Sequence, residues 1–178
     1  MKLYKLGLVT GRFQPLHNGH IRMINKALEN CEKVIILIGS SQESGTEQNP
    51  LSYNQREFFI KEAFTNDFND KDRLIIAPIV DIGVGNVFPW GNYLMNTCKF
   101  IAGEYPDVII AGSEPDRDGW FDTEKYPDVA FIKVNRNDVK ISGTMVRESF
   151  KNGDRNWEYW VPYSLIELYR YSLFEVLK

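Results

Sequence analysis

Residues 11–20 read GRFQPLHNGH and bring the only two histidines of the chain into a turn that contains glycine. They follow a short apolar run, Leu6–Val9, and precede a helical pattern of apolar residues that begins at Ile21. A strand, a glycine-bearing turn and a helix start suit phosphate, because glycine lets the backbone approach closely and a helix N-terminus offers free N–H groups. His17 and His20 share one face of the first helical turn, and both can donate to phosphate oxygens. The stretch therefore predicts a phosphate site between a strand and a helix.

Apolar runs elsewhere predict four further strands, at Val34–Ile38, Leu74–Val80, Val108–Ala111 and Ala130–Val134. Such continuous runs are typical of strands covered on both faces. The segments between them carry helical patterns. They predict a helix that a Ser52–Gln55 capping box opens, one from Tyr93 to about Ala102, and a closing helix over Ser164–Leu177 with a Ser164/Glu167 box. This alternation predicts an α/β fold: one domain over residues 1–178, with a central parallel sheet flanked by helices and a C-terminal helix.

Composition narrows the class of protein. The 178 residues carry a net charge of −3, which argues against non-specific nucleic-acid binding. No apolar run approaches the ~20 residues of a membrane span. Cys31 and Cys98 each fall in a predicted helix and are expected to be small buried hydrophobes, without a disulfide. We therefore expect a cytoplasmic protein that binds neither nucleic acid nor membrane.

Polar clusters follow every predicted strand, and their position predicts one binding edge. Because ligands of open α/β sheets bind beyond the carboxyl ends of the strands, these clusters should meet at one rim. The last of them places Ser142, Thr144 and Arg147 within one helical turn. Ser142 suits a helix cap, and the hydroxyls and guanidinium together suit a second anion site. With no third histidine and no cysteine close by in sequence, a zinc site at His17 and His20 is not expected.

Two motifs carry a resemblance to a known family. Residues 17–20 resemble the HxGH signature of the nucleotidyltransferase superfamily, and GRFQPLHNGH is similar to the archaeal-type nicotinamide mononucleotide (NMN) adenylyltransferases. Residues 141–147, ISGTMVR, are similar to the ISxTxxR element of the same superfamily. The resemblance covers nearly the whole chain and implies a Rossmann-like nucleotidyltransferase domain.

The resemblance also implies an activity and a set of site residues. The activity is adenylyl transfer from ATP to NMN, which yields NAD and pyrophosphate, with Mg²⁺ held mainly by ATP and a homo-oligomeric assembly. The implied catalytic residues are His17, His20 and Arg147. The implied ATP and phosphate contacts are Gly11, Arg12, Phe13, Gln14, Gly19, Gly39, Ser40, Arg56, Gly112, Ser142 and Thr144. The implied NMN contacts are Asp81, Asn86 and Trp90.

Several alternatives stay open at this point. Arg56 suits a structural ion pair as well as a phosphate contact, and Phe88 could stack on the nicotinamide in place of Trp90. The acceptor could be nicotinate mononucleotide or another phosphorylated metabolite. The chain could also be a non-catalytic nucleotide sensor. An NAD-dependent oxidoreductase is disfavoured, because Gly83-Val84-Gly85 is not followed by the third glycine of the dinucleotide fingerprint.

Overall fold

A five-stranded parallel sheet forms the centre of the molecule, in the strand order β3-β2-β1-β4-β5. The computed structural model describes residues 2–64, 72–85, 87–112, 119–135 and 140–178. The strands are β1 (Tyr4–Gly11), β2 (Cys31–Ile38), β3 (Leu74–Pro78), β4 (Val108–Gly112) and β5 (Ala130–Val134). The predicted parallel α/β sheet is therefore confirmed.

Six helices accompany the sheet in the described parts of the chain. They are α1 (Asn18–Asn30), α2 (Tyr53–Ala63), α3 (Phe88–Ala102), α4 (Gly143–Lys151), the short α5 (Trp157–Trp160) and α6 (Ile166–Leu177). None of these helices has the length and apolar character needed to cross a membrane.

The helix starts test the capping predictions. The box that opens α2 is confirmed: the Gln55 N–H donates to Ser52 Oγ, and the Ser52 N–H donates to Gln55 Oε1. Helix α3 begins at Phe88 instead of the predicted Tyr93, because Pro89 fits the first turn of a helix, where no N–H donor is needed. The prediction of a capping box formed by Ser164 and Glu167 was wrong. Residues 163–165 form a 3₁₀ turn, and α6 follows it without a side-chain cap.

The two faces of the sheet bury different residues, because side chains alternate along a strand. Leu8 and Leu37 pack on one side in a cluster that contains Met95 of α3. Val9 and Ile36 pack on the other side, in a cluster built from α1, α2, α4 and α6. Helices therefore cover both faces, as the continuous apolar strands predict.

Both cysteines are buried, but only Cys98 lies in a helix. Cys31 is buried as expected, but its predicted helical position was wrong. This residue opens β2 and pairs with Tyr4, because the sheet takes over where the helical period would have continued. Its Sγ would lie 2.6 Å from a Cβ placed on Gly7, so the glycine lets the thiol pack against β1. Burial raises the pKa of Cys31 to about 11 and that of Cys98 to about 12.

The strand order determines where a ligand can enter. From β1 the chain moves to β2 and β3 on one side, and then returns to β4 and β5 on the other side of β1. The order therefore reverses between β1 and β4, and a crevice forms beyond their carboxyl ends. The histidine stretch follows β1 directly and lies at this crevice.

Candidate active site

A cleft of ≈ 520 Å³ opens beyond β1 and β4, with the N-termini of α1, α3 and α4 at its edge. The structure brings together most of the site residues that the sequence implies. Those that line the cleft are Gly11, Arg12, Phe13, Gln14, His17, His20, Trp90, Gly112, Ser142, Thr144 and Arg147. Distant segments of the chain thus meet at one place.

The two histidines form a stacked pair at the start of α1. Their ring centroids lie 3.7 Å apart, and the Phe13 ring lies 4.7 Å from that of His20. The His17 backbone N–H donates to His20 Nδ1 over 3.3 Å. Because Nδ1 accepts this bond, the proton of the neutral His20 ring sits on Nε2. His20 is therefore arranged as an Nε2–H donor at the cleft.

Gly19 explains why a glycine separates the histidines. A Cβ at this position would lie 3.0 Å from both Nδ1 and Cε1 of His17. A side chain at this position would require the His17 ring to shift by a few tenths of an ångström. Gly19 does not line the cleft itself, but its missing side chain makes room for the stacked pair.

A second helix start faces the first across the cleft. Ser142 caps α4, and its Oγ accepts from the Met145 N–H over 3.2 Å. Arg147 donates from Nη1 to the Gln14 carbonyl at 2.6 Å and from Nη2 to Thr144 Oγ1 at 3.3 Å. A Cβ on Gly143 would lie 2.6 Å from the same Gln14 carbonyl, so this glycine permits the close approach of α4. These contacts hold the histidine motif and the Ser142–Arg147 motif next to each other.

The charges of the cleft suit an anion. Among the described residues that line it there is no aspartate or glutamate, whereas Arg12 and Arg147 both contribute. Partial burial lowers the pKa of Arg147, and the positive charge of Arg12 lowers it further. The N-termini of α1 and α4, which lie next to the histidines and Arg147, add partial positive charge. The site is locally cationic in a chain whose net charge is −3.

Gln14 lines the cleft but uses its side chain elsewhere. Its Nε2 donates to the Leu51 carbonyl at 2.7 Å, and its Oε1 accepts from the Leu51 N–H at 2.9 Å. The amide thus pairs with backbone as a neighbouring strand would. It ties the histidine loop to the segment before α2.

Other implied residues lie beside the cleft instead of lining it. Arg56 is fully buried, and its guanidinium donates to backbone carbonyls. Gly39 continues the sheet ladder by donating to the Gly11 carbonyl. Ser40 Oγ donates to Asp81 Oδ2 at 2.6 Å, which places the exposed Asp81 next to the end of β2. Asn86 lies outside the described residues.

Two tryptophans form the apolar wall of the cleft. Trp90 comes from the first turn of α3, whereas Phe88 is half exposed and is not part of the lining. Sequence reasoning missed Trp120, which precedes β5 and packs near Phe131. The sequence signal that could have identified it is a tryptophan in the segment between the fourth and fifth strands, which leads away from the binding edge of the sheet. A Cβ on Gly91 would overlap the Trp120 carbonyl, so this glycine fits α3 against the second tryptophan.

Metal ligands are not grouped in the described part of the chain. No set of three or more histidine, cysteine, aspartate or glutamate side chains is placed there to hold an ion. The donors of the cleft are hydroxyls, imidazoles and guanidinium groups. These are phosphate-binding groups, whereas Mg²⁺ prefers oxygen ligands such as carboxylates and phosphates.

Comparison with known proteins agrees with this geometry. The model of the family described as cytidylyltransferase-like matches residues 8–149. The nicotinamide-nucleotide adenylyltransferase of Saccharolobus solfataricus is 37% identical over 127 residues, which are 67% of this chain and 73% of the relative. The enzyme of the same name from Thermococcus kodakarensis is 31% identical over 169 residues, which are 94% of this chain and 84% of the relative.

A solved structure shares the architecture. It is a bifunctional NMN adenylyltransferase/ADP ribose pyrophosphatase from Francisella tularensis, complexed with AMP and a manganese ion. The TM-score is 0.74 at 26% sequence identity, and the match covers 98% of this chain and 52% of the other. The chain thus spans about half the length of that protein.

Proposed function

This chain belongs to the cytidylyltransferase-like family and, within it, to the nicotinamide-nucleotide adenylyltransferases, and we propose that it transfers the adenylyl group of ATP to NMN. The products are NAD and pyrophosphate. One observation carries the proposal: two helix N-termini, a histidine pair and Arg147 meet in one cleft whose described lining has no carboxylate.

The chemistry needs positioning more than proton transfer. A 5′-phosphate oxygen of NMN attacks the α-phosphorus of ATP, and the bond from that phosphorus to the bridging oxygen of pyrophosphate breaks in line. The nucleophile is already an anion, so no general base is required. Catalysis then consists of alignment and of charge stabilisation on the phosphoryl oxygens.

The residues divide this work between the two helix starts. His20 donates from Nε2–H to the transferred α-phosphoryl and the leaving group, with His17 stacked beside it. Ser142, Thr144 and Arg147 hold the β- and γ-phosphates at the start of α4. The exposed Arg12, which follows β1, contacts phosphate oxygens from the side of the cleft opposite α4.

Magnesium enters with ATP as part of the substrate. The described lining offers no carboxylate to bind it, so a Mg²⁺ ion that accompanies ATP would take its ligands from phosphate oxygens and water. Its positive charge offsets the negative charge of the triphosphate.

The NMN end of the cleft lies toward Trp90, which offers an aromatic face to the nicotinamide ring. Asp81 lies beside the cleft, where its carboxylate accepts from Ser40 Oγ, and it is the proposed partner of the nicotinamide carboxamide. Asn86 stays a predicted NMN contact outside the described residues. An aspartate accepts a hydrogen bond from a carboxamide and repels a carboxylate, so the enzyme prefers NMN over nicotinate mononucleotide. Asp81→Asn should lower the ratio of kcat/KM for NMN to kcat/KM for nicotinate mononucleotide.

Trp90→Ala should raise KM for NMN far more than KM for ATP. Phe88→Ala, at an aromatic residue outside the lining, is the matched control.

We further propose that residues 1–178 form one domain, and that the protein acts in the cytoplasm as a homo-oligomer, without nucleic acid. Tyr159 and Tyr163 support the assembly, because they are 81% and 91% exposed beside a well-packed core. Analytical ultracentrifugation of the purified protein should show a species larger than a monomer. A sharp monomer at micromolar concentration would exclude the assembly.

The decisive experiment measures pyrophosphate release from MgATP with a panel of acceptors. NMN should give stoichiometric NAD and pyrophosphate. ADP or free phosphate as the main product would indicate a kinase or a hydrolase instead. Nucleotide binding without turnover would indicate a sensor, and equal kcat/KM for NMN and nicotinate mononucleotide would remove the argument for Asp81.

A further inference from the structure

Arg56 is the one charged side chain among the largest fully buried side chains of the described structure. It lies in the first turn of α2, and its guanidinium makes four hydrogen bonds, all to backbone carbonyls. Nη1 donates to the carbonyls of Arg12 at 2.9 Å and Gly39 at 2.7 Å. Nη2 donates to the Ser40 carbonyl at 3.0 Å, and Nε donates to that of Ser52 at 3.3 Å.

The carbonyls of Arg12 and Gly39 belong to the peptides that immediately precede two unusual residues. Phe13 has φ = 52° and Ser40 has φ = 46°, and they are the non-glycine residues of the described chain with positive φ. This left-handed conformation is unfavourable for residues that carry a Cβ, so it persists only where the surroundings hold it. A single nitrogen, Nη1 of Arg56, holds the peptide before each of them.

Both left-handed residues lead directly to the proposed site. The Phe13 ring contacts His20 at 4.7 Å between centroids. Ser40 Oγ donates to Asp81 Oδ2 at 2.6 Å. Arg56 therefore connects the loops after β1, β2 and β3 through one buried group.

The burial of Arg56 also separates it from the substrate phosphates. It is 0% exposed and does not line the cleft. Burial lowers its pKa to about 10, while the nearby Asp81 carboxylate opposes that shift, so the guanidinium stays protonated at neutral pH. The oxygen ends of the four backbone carbonyls carry partial negative charge and stabilise the buried guanidinium. At an exposed site a phosphate would supply that negative charge.

We propose that Arg56 is a positioning residue, which holds Phe13 and Ser40 in their left-handed conformations and so aligns His20 and Asp81 without touching either substrate. The inference rests on the proposed adenylyl transfer and deepens it. In this proposal Arg56 does not contact a phosphate. Its hydrogen bonds to backbone carbonyls hold the loops in place, and we call this set of bonds the backbone clamp.

The first test is Arg56→Lys, which keeps the charge but loses the planar fork. We expect kcat to fall by roughly 10²-fold, as for a small misplacement of catalytic groups, with KM for ATP and NMN within about threefold of the original values. Ile60→Val, a buried change on the same helix, is the matched control. It should lower the unfolding midpoint and leave kcat unchanged.

The second test relieves the left-handed strain directly. Ser40→Gly and Ser40→Ala remove the same hydroxyl, but only glycine accepts positive φ freely. In the Arg56→Lys background, Ser40→Gly should give at least about fivefold higher kcat than Ser40→Ala, and a higher urea midpoint. In the original background the two variants should differ less. This difference is the coupling between Arg56 and the conformation of Ser40.

The outcomes separate this inference from the proposed function. Wild-type-like kcat in Arg56→Lys, a raised KM for ATP alone, or equal behaviour of the glycine and alanine variants would overturn the clamp. If Arg56→Lys folds only together with Ser40→Gly, the clamp is supported; if it stays unfolded in both backgrounds, the clamp is overturned. If the unaltered enzyme makes no NAD, the proposed function fails, and the urea-midpoint cycle still decides the role of Arg56.

Discussion

Arg147 combines a structural contact and a proposed phosphate contact in one side chain. Its Nη1 is committed to the Gln14 carbonyl, 133 residues away in the chain, and its Nη2 contacts Thr144. A guanidinium has five N–H donors in a rigid fork, so donors remain for phosphate oxygens after these bonds form. We therefore propose that phosphate binding at this site depends on the planar fork of Arg147 more than on its charge.

Arg147→Lys should therefore be costly although the charge is unchanged. We expect kcat/KM for ATP to fall roughly 10²-fold, because a point charge cannot bridge Gln14 and the phosphates together. Steady-state kinetics with varied ATP measures the loss. Arg155→Lys, an exposed arginine paired with Glu158, is the matched control and should have no effect. Full activity in Arg147→Lys would mean that a point charge suffices.

His20→Ala removes the Nε2–H donor that the bond from the His17 backbone orients. Loss of one such donor typically lowers kcat by ~10²–10³-fold. Circular dichroism should show an intact fold, because the side chain lies at a ligand-facing edge. Near-normal turnover would refute the proposed role, and an unfolded variant would indicate a structural histidine.

Among the secondary-structure elements, the N-termini of α1 and α4 form the proposed anion site, and a glycine permits a close contact at each of them. Gly19 makes room for the His17 ring, and Gly143 lets α4 approach the Gln14 carbonyl. Their role is the close approach of neighbouring atoms. Both residues lie in the first turns of their helices, where glycine is less unfavourable relative to alanine than in a helix interior.

The Gly19→Ala variant distinguishes the effect of glycine on the stability of α1 from its effect on the position of the His17 ring. On propensity alone the alanine should stabilise α1, but its Cβ would lie 3.0 Å from the His17 ring and displace it. We expect kcat to fall by roughly tenfold, because a shift of a few tenths of an ångström disturbs the stacked pair. Asn25→Ala, an exposed change on the same helix, is the control and should leave kcat unaltered. Equal kinetics for both variants would contradict the packing argument.

At the scale of the whole molecule, the last helix supports the first loop. Tyr169 of α6 is fully buried, and its hydroxyl donates to the Leu16 carbonyl at 3.0 Å, directly before His17. Its ring meets Phe59 of α2 edge-on at 4.9 Å. Burial raises the pKa of Tyr169 well above its usual value, so the hydroxyl remains a donor.

Tyr169→Phe should leave the Leu16 carbonyl buried without this donor. We expect the free energy of unfolding to fall by about 1–3 kcal/mol, measured by urea denaturation. Tyr171→Phe removes the same group from a side chain on α6 that is 72% exposed, and it should change little. Identical midpoints for the two variants would show that the buried bond adds nothing.

Local sequence patterns were sufficient to predict the strands, the parallel fold class, the capping box of α2 and the two motifs that line the cleft. These depend on local patterns, since alternation, apolar runs and short polar motifs report nearby residues. The early start of α3 and the strand position of Cys31 were missed, because prolines and sheet pairing override a helical period.

The contacts between distant residues depend on how the chain folds, and no local pattern predicts them. The contact of Arg147 with Gln14, the pairing of Gln14 with Leu51 and the place of Trp120 all join distant segments. Arg56 shows the difference most clearly. Its sequence position suits a phosphate contact or an ion pair, whereas the folded chain surrounds it with carbonyls. Burial and hydrogen-bond geometry arise from chain crossings that no local pattern records.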